Sequence, residues 1–280
     1  MILAAELDAG QRIIEHVADA PPFVEGAWWS PTKAVVWMAF AAVLVVVGVL
    51  LAARGYDRNG VPRTRWSQML DPFVEHFYRD VALQFSGAKY AKAVAPLLLT
   101  FFFFILVSNL LGLLPISDVL GFVGGFFLPH DSVFMRKIVE GSSTPTGNFN
   151  VTMTLAAISF MAVVVFGSRQ YGVVGHFAHL APKNAPFVVR WFLLLPIETI
   201  SMFVKPFALT MRLAANMTAG HMGLLALLMM IFLLKSAAVG VPVALLAVGI
   251  MMLEIIVAFV QAYVFALLSG VFIGMAIHSH

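Results

Sequence analysis

The chain has no cysteine in its 280 residues. That excludes disulfides, thiolate metal sites and a cysteine nucleophile, and leaves the redox compartment open. Charge is also scarce. Asp, Glu, Lys and Arg make up 11% of the sequence, against about 25% in an ordinary soluble domain. Over the 90 residues from Trp191 to the end, only Glu198, Lys205, Arg212, Lys235 and Glu254 carry formal charge. There is no phosphate-binding loop and no nucleophile spaced to meet a base. His176 and His179 stand three apart without a third or fourth ligand nearby, so they read as loop residues. No cofactor, metal or covalent chemistry is expected. The net charge of +3 is small and the basic residues cluster in loops, so no nucleic-acid partner is expected either. The start of the chain is acidic and lacks a basic n-region and a small-residue cleavage site, so residues 1–32 read as a retained outer segment.

What the chain has is apolar length. It is 61% hydrophobic, and several runs reach the roughly 20 residues that cross a bilayer. The pattern predicts an all-α polytopic membrane protein, one membrane domain over 33–280 with embedded helices at about 33–53, 94–114, 149–167, 187–235 and 243–277. Between the first two spans lie Arg54, Arg58, Arg63, Arg65, Arg79, Lys89 and Lys92. The positive-inside rule then puts the N-terminus outside, residues 54–92 in the cytoplasm and the C-terminus in the cytoplasm. Arg169, Lys183 and Arg190 after the third span agree in sign. Leu70, Phe73, Phe77 and Val81 recur at helical spacing among charges, predicting an amphipathic helix over about 66–85. It rests either on the membrane surface or against a partner's soluble surface.

The last two apolar stretches are too long. A continuous helix over 191–235 would extend about 67 Å at 1.5 Å per residue, whereas the hydrocarbon core is about 30 Å thick. "GVP" at 240–242 is the first clear turn signal. Two overlong helices joined there suggest a hairpin inclined across the bilayer, although hydropathy alone also permits a hidden turn.

Arg212 is the anomaly within the first of them. An arginine cannot shed its proton, and at the bilayer centre it costs about 3 kcal/mol even on insertion scales. Glu198, Lys205 and Arg212 are seven apart and Asn216 follows four later, so all share one helical face. Glu198 can neutralise Lys205, which leaves Arg212 without a partner in that segment. Glu254 and Gln261 share a face of the next helix, and with His221 they form a candidate separate polar path. His221 is nine residues past Arg212, about half a turn away. An imidazole and a carboxylate at one level of a membrane suit proton chemistry.

These residues resemble subunit a of the F-type ATP synthases. "KPFALTMRLAANMTAGH" (205–221) is similar to the family's arginine-helix signature, and "SNLLGLLPI" (108–116), "TPTGNFNVTMTLA" (144–156) and "EIIVAFVQAYVF" (254–265) agree with it. The resemblance implies a proton-translocating stator subunit, not catalytic alone, in a bacterial inner membrane. Its implied partners are the rotor ring of c subunits, the peripheral-stalk b subunit, the other synthase subunits and lipid. It implies the tilted hairpin, Arg212 as the arginine facing the rotor carboxylate, and Asn216, His221, Glu254 and Gln261 in the outer half-channel. Glu198 matches an acidic position on the cytoplasmic side, while Asn109, Asn150 and Lys205 are candidate polar lining. Many bacterial relatives carry an acid at the place of His221 and a histidine at that of Glu254; here the two types are exchanged. The alternative is a proton-coupled secondary transporter, which would call for a midplane substrate cavity and usually a repeat. No repeat is evident.

Overall fold

The computed structural model describes residues 32–57, 59–113, 145–172, 175, 187–234 and 237–278. Its helices are α1 (Lys33–Ala53), α2 (Arg65–His76), α3 (Gln84–Leu113), α4 (Phe149–Tyr171), the single turn α5 (Phe187–Val189), α6 (Leu195–Leu234) and α7 (Ala237–Ile277). A π-helical segment, Phe77–Leu83, joins α2 to α3, and another, Arg190–Leu194, joins α5 to α6. A 3-10 turn, Pro145–Gly147, precedes α4. The protein is all-α and polytopic: among the described residues, five helices are long and apolar enough to cross a membrane. Two compact units interleave along the chain, one from residues 1–44, 105–151 and 213–261, the other from 45–104, 152–212 and 262–280.

Helix α1 is apolar on every side. Ala34, Trp37, Ala41 and Ala52 are buried, while Val35, Val36, Phe40, Val43, Leu44, Val46, Val47, Val49, Leu50 and Leu51 are exposed. Such a surface is stable only where the solvent is hydrocarbon.

The chain leaves α1 through a tight loop. Gly60, at φ +75°, takes a conformation that side chains avoid, and its N–H donates to Asp57 C=O at 2.9 Å. Arg63 pairs with Asp57 at 2.6 Å. Thr64 then caps α2: its Oγ1 accepts from Ser67 N–H, and the Ser67 hydroxyl accepts from Thr64 N–H. Such a reciprocal cap is worth about 1 kcal/mol. The Tyr56 hydroxyl donates to Asp71 Oδ1 at 2.8 Å. Burial and the neighbouring Asp71 carboxylate push this phenol up to about 12.

The amphipathic stripe expected over 66–85 is present, and the chain itself covers it. Phe73 and Phe77 lie 5.6 Å and 5.1 Å from the Phe102 ring of α3, and Phe77 and Val81 have almost no exposure. Helical structure continues to Gly87, where φ +70° and ψ 166° break it. α3 therefore resumes just after Gly87, several residues before the start near 94 that hydropathy suggests. Gly87 makes the corner because only glycine takes that φ without strain.

The turn expected at 240–242 is not one. Gly240 and Pro242 lie inside α7, which begins at Ala237, and Leu234 ends α6. Pro242 is early enough in α7 to cost a single ladder bond, a loss that membrane helices absorb through neighbouring groups. The C-terminal part of α7 packs on small residues every fourth position: Ala262, Ala266, Gly270 and Gly274 are buried. A Cβ on Gly274 would stand 2.5 Å from the Phe85 carbonyl oxygen, and one on Gly270 would stand 2.9 Å from Val81. Small residues let backbones approach this closely where no hydrophobic effect drives helices together. Ser159 of α4 donates to Ser269 of α7 at 2.8 Å, and the Tyr171 hydroxyl donates to Ile277 C=O at 2.9 Å.

Candidate functional site

Glu254 is the buried acid of α7, 8% exposed. Neither of its oxygens has a hydrogen-bond partner among the described residues. Gly220 of α6 makes this placement sterically feasible: a Cβ there would meet Glu254 Oε1 at 2.5 Å. The carboxylate opens on a cavity of about 100 Å³ lined by Gly112, Leu113, Asn216, Gly220, Ile250 and Val257, among others. Asn216 supplies the other polar wall, and its Nδ2 is likewise buried with no partner among the described residues. At about 30 Å³ per water, the volume suits about three molecules, which need two to four polar partners each. An ionisable group and an amide around a space for a few waters can pass a proton.

Arg212 sits on α6 with an exposed side chain, while Leu209 and Leu213 of the same helix are buried. It makes no ion pair with a described carboxylate. Before it on α6, Ile197, Ile200, Phe203, Val204, Phe207 and Met211 are exposed. The guanidinium is thus set in an apolar surface with no compensating charge among the described residues, which is expensive at membrane depth unless another group meets it.

Glu198 does not neutralise Lys205 in an ion pair. Glu198 is exposed, and the Lys205 ammonium stands over the Phe272 ring, 5.7 Å from its centroid, in cation–π range. Gln261 is half-buried. Asn150 is exposed at the start of α4, where its backbone N–H donates to Asn148 Oδ1 at 2.9 Å. Asn109 is fully buried with both ends of its amide engaged, by Ala258 C=O and by Thr146 Oγ1. His221 follows Gly220 on α6, but its side chain lies outside the described residues, as do His176 and His179.

Sequence reading missed Gly220 and Thr146. The tight approach of α6 and α7 requires the glycine, whose signal was its place in "KPFALTMRLAANMTAGH", one residue before His221. Thr146 carried no signal beyond lying in "TPTGN".

The chain matches the family model described as ATP synthase A chain over residues 35–274. It is similar to "ATP synthase subunit a" of Chloroherpeton thalassium, 38% identical over 97% of this chain and 77% of that protein. It is also similar to "ATP synthase subunit a" of Myxococcus xanthus, 37% identical over 96% of this chain and 81% of that one. "ATP synthase subunit a 2" of Chlorobaculum tepidum is 37% identical over 97% of this chain and 74% of its own length.

Proposed function

We propose, from the premise that this chain belongs to the ATP synthase A chain family, that Glu254 passes protons to the rotor of an F-type ATP synthase and that the fixed charge of Arg212 makes the rotor release them. The chain is a membrane-sector subunit of that complex, multi-pass, proton-translocating and not catalytic by itself. Other subunits of the synthase are its partners.

The observation that carries the reading is the Glu254 carboxylate, buried against Gly220 with the Asn216 amide on a water-sized cavity. A proton entering from outside is relayed through Asn216, His221, Glu254 and Gln261 to a carboxylate on the ring of c subunits. There it meets the field of Arg212. A fixed positive charge about 4 Å from the rotor carboxylate favours its ionised form by about 4 kcal/mol at an effective dielectric of 20. A rotor site that turns past Arg212 therefore gives up the proton it carries to the cytoplasmic side, where Glu198 lines the exit. The same charge repels hydronium and blocks a direct leak between the two paths. Each proton crossing 100 mV supplies about 2.3 kcal/mol, so a leak would waste the drive for ATP synthesis.

The exposed apolar residues of α6 around Arg212 suit a ring of apolar helices, and the b subunit of the peripheral stalk holds the stator side. The chain lies in a bacterial inner membrane with its N-terminus outside and its C-terminus in the cytoplasm, as the basic loops imply.

The test is ATP-driven proton uptake by inverted vesicles. Arg212→Ala is expected to abolish uptake while leaving the complex assembled and its passive proton permeability unchanged or raised. Arg212→Lys is expected to be severely impaired, because an ammonium lacks the planar fork and can lose its proton when desolvated. Coupled uptake at the normal rate in Arg212→Ala would refute the reading.

A further inference from the structure

Two hydrogen-bonded contacts hold the helices that carry Glu254 and Gly220, and both start from one short turn. Asn109 of α3 is fully buried. Its Nδ2 donates to Ala258 C=O on α7 at 3.3 Å, and its Oδ1 accepts from Thr146 Oγ1 at 2.6 Å. Ala258 lies one helical turn after Glu254. The next residue of the Pro145–Gly147 turn, Gly147, accepts through its C=O from Thr218 Oγ1 of α6 at 3.4 Å. Thr218 stands between Asn216 and Gly220, two of the α6 residues that line the cavity. The turn therefore reaches α7 through Asn109 and α6 directly.

The structure assigns Thr146 and Asn109 a positioning role: we propose that they form a clasp fixing how deep Glu254 sits against Gly220, and so setting the rate of proton transfer through the cavity. A carbonyl oxygen has two lone pairs. Ala258 C=O can thus keep its helical bond and still accept from Asn109, so α7 is gripped without being unwound. Both functional atoms of the Asn109 amide are committed to protein groups. That distinguishes it from Asn216, whose Nδ2 is buried with no partner among the described residues. The Thr146–Asn109 bond is the shorter of the two and lies out of water, where an unmet partner is costly. Without it, Asn109 is free to turn and its grip on Ala258 loosens. Glu254 has only a glycine's width of clearance, so a small slip of α7 changes its surroundings. The proposal deepens the reading of Glu254 as a proton carrier and rests on it.

ATP-driven proton uptake, measured on inverted vesicles holding the whole synthase and normalised to assembled complex, tests the clasp. Thr146→Val keeps the shape and removes the hydroxyl, and is expected to slow uptake at least three-fold. Thr146→Ser keeps the hydroxyl and should retain more than half the rate. Combining Thr146→Val with Asn109→Leu should be no worse than Asn109→Leu alone, because the two residues act as one unit. In a Glu254→Gln background, Thr146→Val should cost nothing further. An unaffected Thr146→Val, a Thr146→Ser as slow as Thr146→Val, or losses that multiply with Glu254→Gln would each overturn the clasp. Normal uptake by Glu254→Gln alone would instead refute the reading of Glu254 on which the clasp rests.

Discussion

The two halves of α7 share a composition and differ in what surrounds them. Over residues 243–261, Leu245, Leu246, Val248, Met252, Leu253, Ile255, Ile256, Phe259 and Val260 are exposed, and the buried residues include Glu254. Over residues 262–277, Phe265, Ile273 and Ile277 are buried among the small residues and Met275 is the one large hydrophobic exposed. The second half presents a glycine or alanine at every fourth position, and neighbouring backbone closes over it. The first half places a carboxylate where that row would continue and leaves a cavity beside it. Hydrophobicity makes both halves helical and membrane-embedded. The size of one side chain per turn decides whether a stretch packs dry or keeps room for water and a titrating group.

The largest effect that would sharpen this contrast is steric. Gly274→Leu should be lost from the assembled complex, because even its Cβ would drive into Phe85 backbone and overpacking of a filled core costs about 1–3 kcal/mol or more. Gly249→Ala in the first half meets nothing within 4 Å and should assemble normally. The yield of intact complex after mild heating in detergent checks both, and equal damage from the two would break the comparison.

A smaller effect is expected from chemistry at constant packing class. If His221 shares a hydrated site with Glu254, His221→Glu should slow proton uptake because two carboxylates in one site repel. The exchange His221→Glu with Glu254→His restores one acid and one imidazole and should recover more than His221→Glu alone. If the exchange is worse than either single change, the two residues do not act together.

The smallest effect lies outside the membrane. Tyr56 has its phenol raised from 10.0 to about 12, by burial and then by Asp71. The folded protein prefers the neutral form, so the stabilisation is fully present below pH 10.0 and is lost as pH rises through about 12. Tyr56→Phe should cost about 1 kcal/mol at neutral pH, the worth of one hydrogen bond. Ultraviolet titration of the phenolate checks it, and an ionisation near 10.0 would contradict the Tyr56–Asp71 contact.

Much of this architecture was legible in the sequence, for physical reasons. Long apolar runs have few solutions in a membrane, so the all-α polytopic class and the helical stretches followed from length and hydropathy. The corner at Gly87 was not legible, because a lone glycine in a helical pattern looks the same whether it bends the chain or not. Gly240–Pro242 misled for the converse reason: a proline near a helix start is tolerated, and both residues lie inside α7. Arg212 and Glu254 stood out because a charge in an apolar run is conspicuous. The cavity did not, since it depends on Gly220 approaching from another helix, 34 positions away. Asn109 read as polar lining because its type was visible and its two partners, distant in sequence, were not.

Proton uptake by Glu254→Gln, per assembled complex, tests most directly whether the open half of α7 works while the closed half packs. The variant keeps the shape of the side chain and removes its capacity to take up and release a proton. The account predicts normal assembly with ATP-driven uptake reduced at least ten-fold. Uptake at the wild-type rate in normally assembled complex would contradict it, and would leave Glu254 a buried carboxyl that only fills space against Gly220.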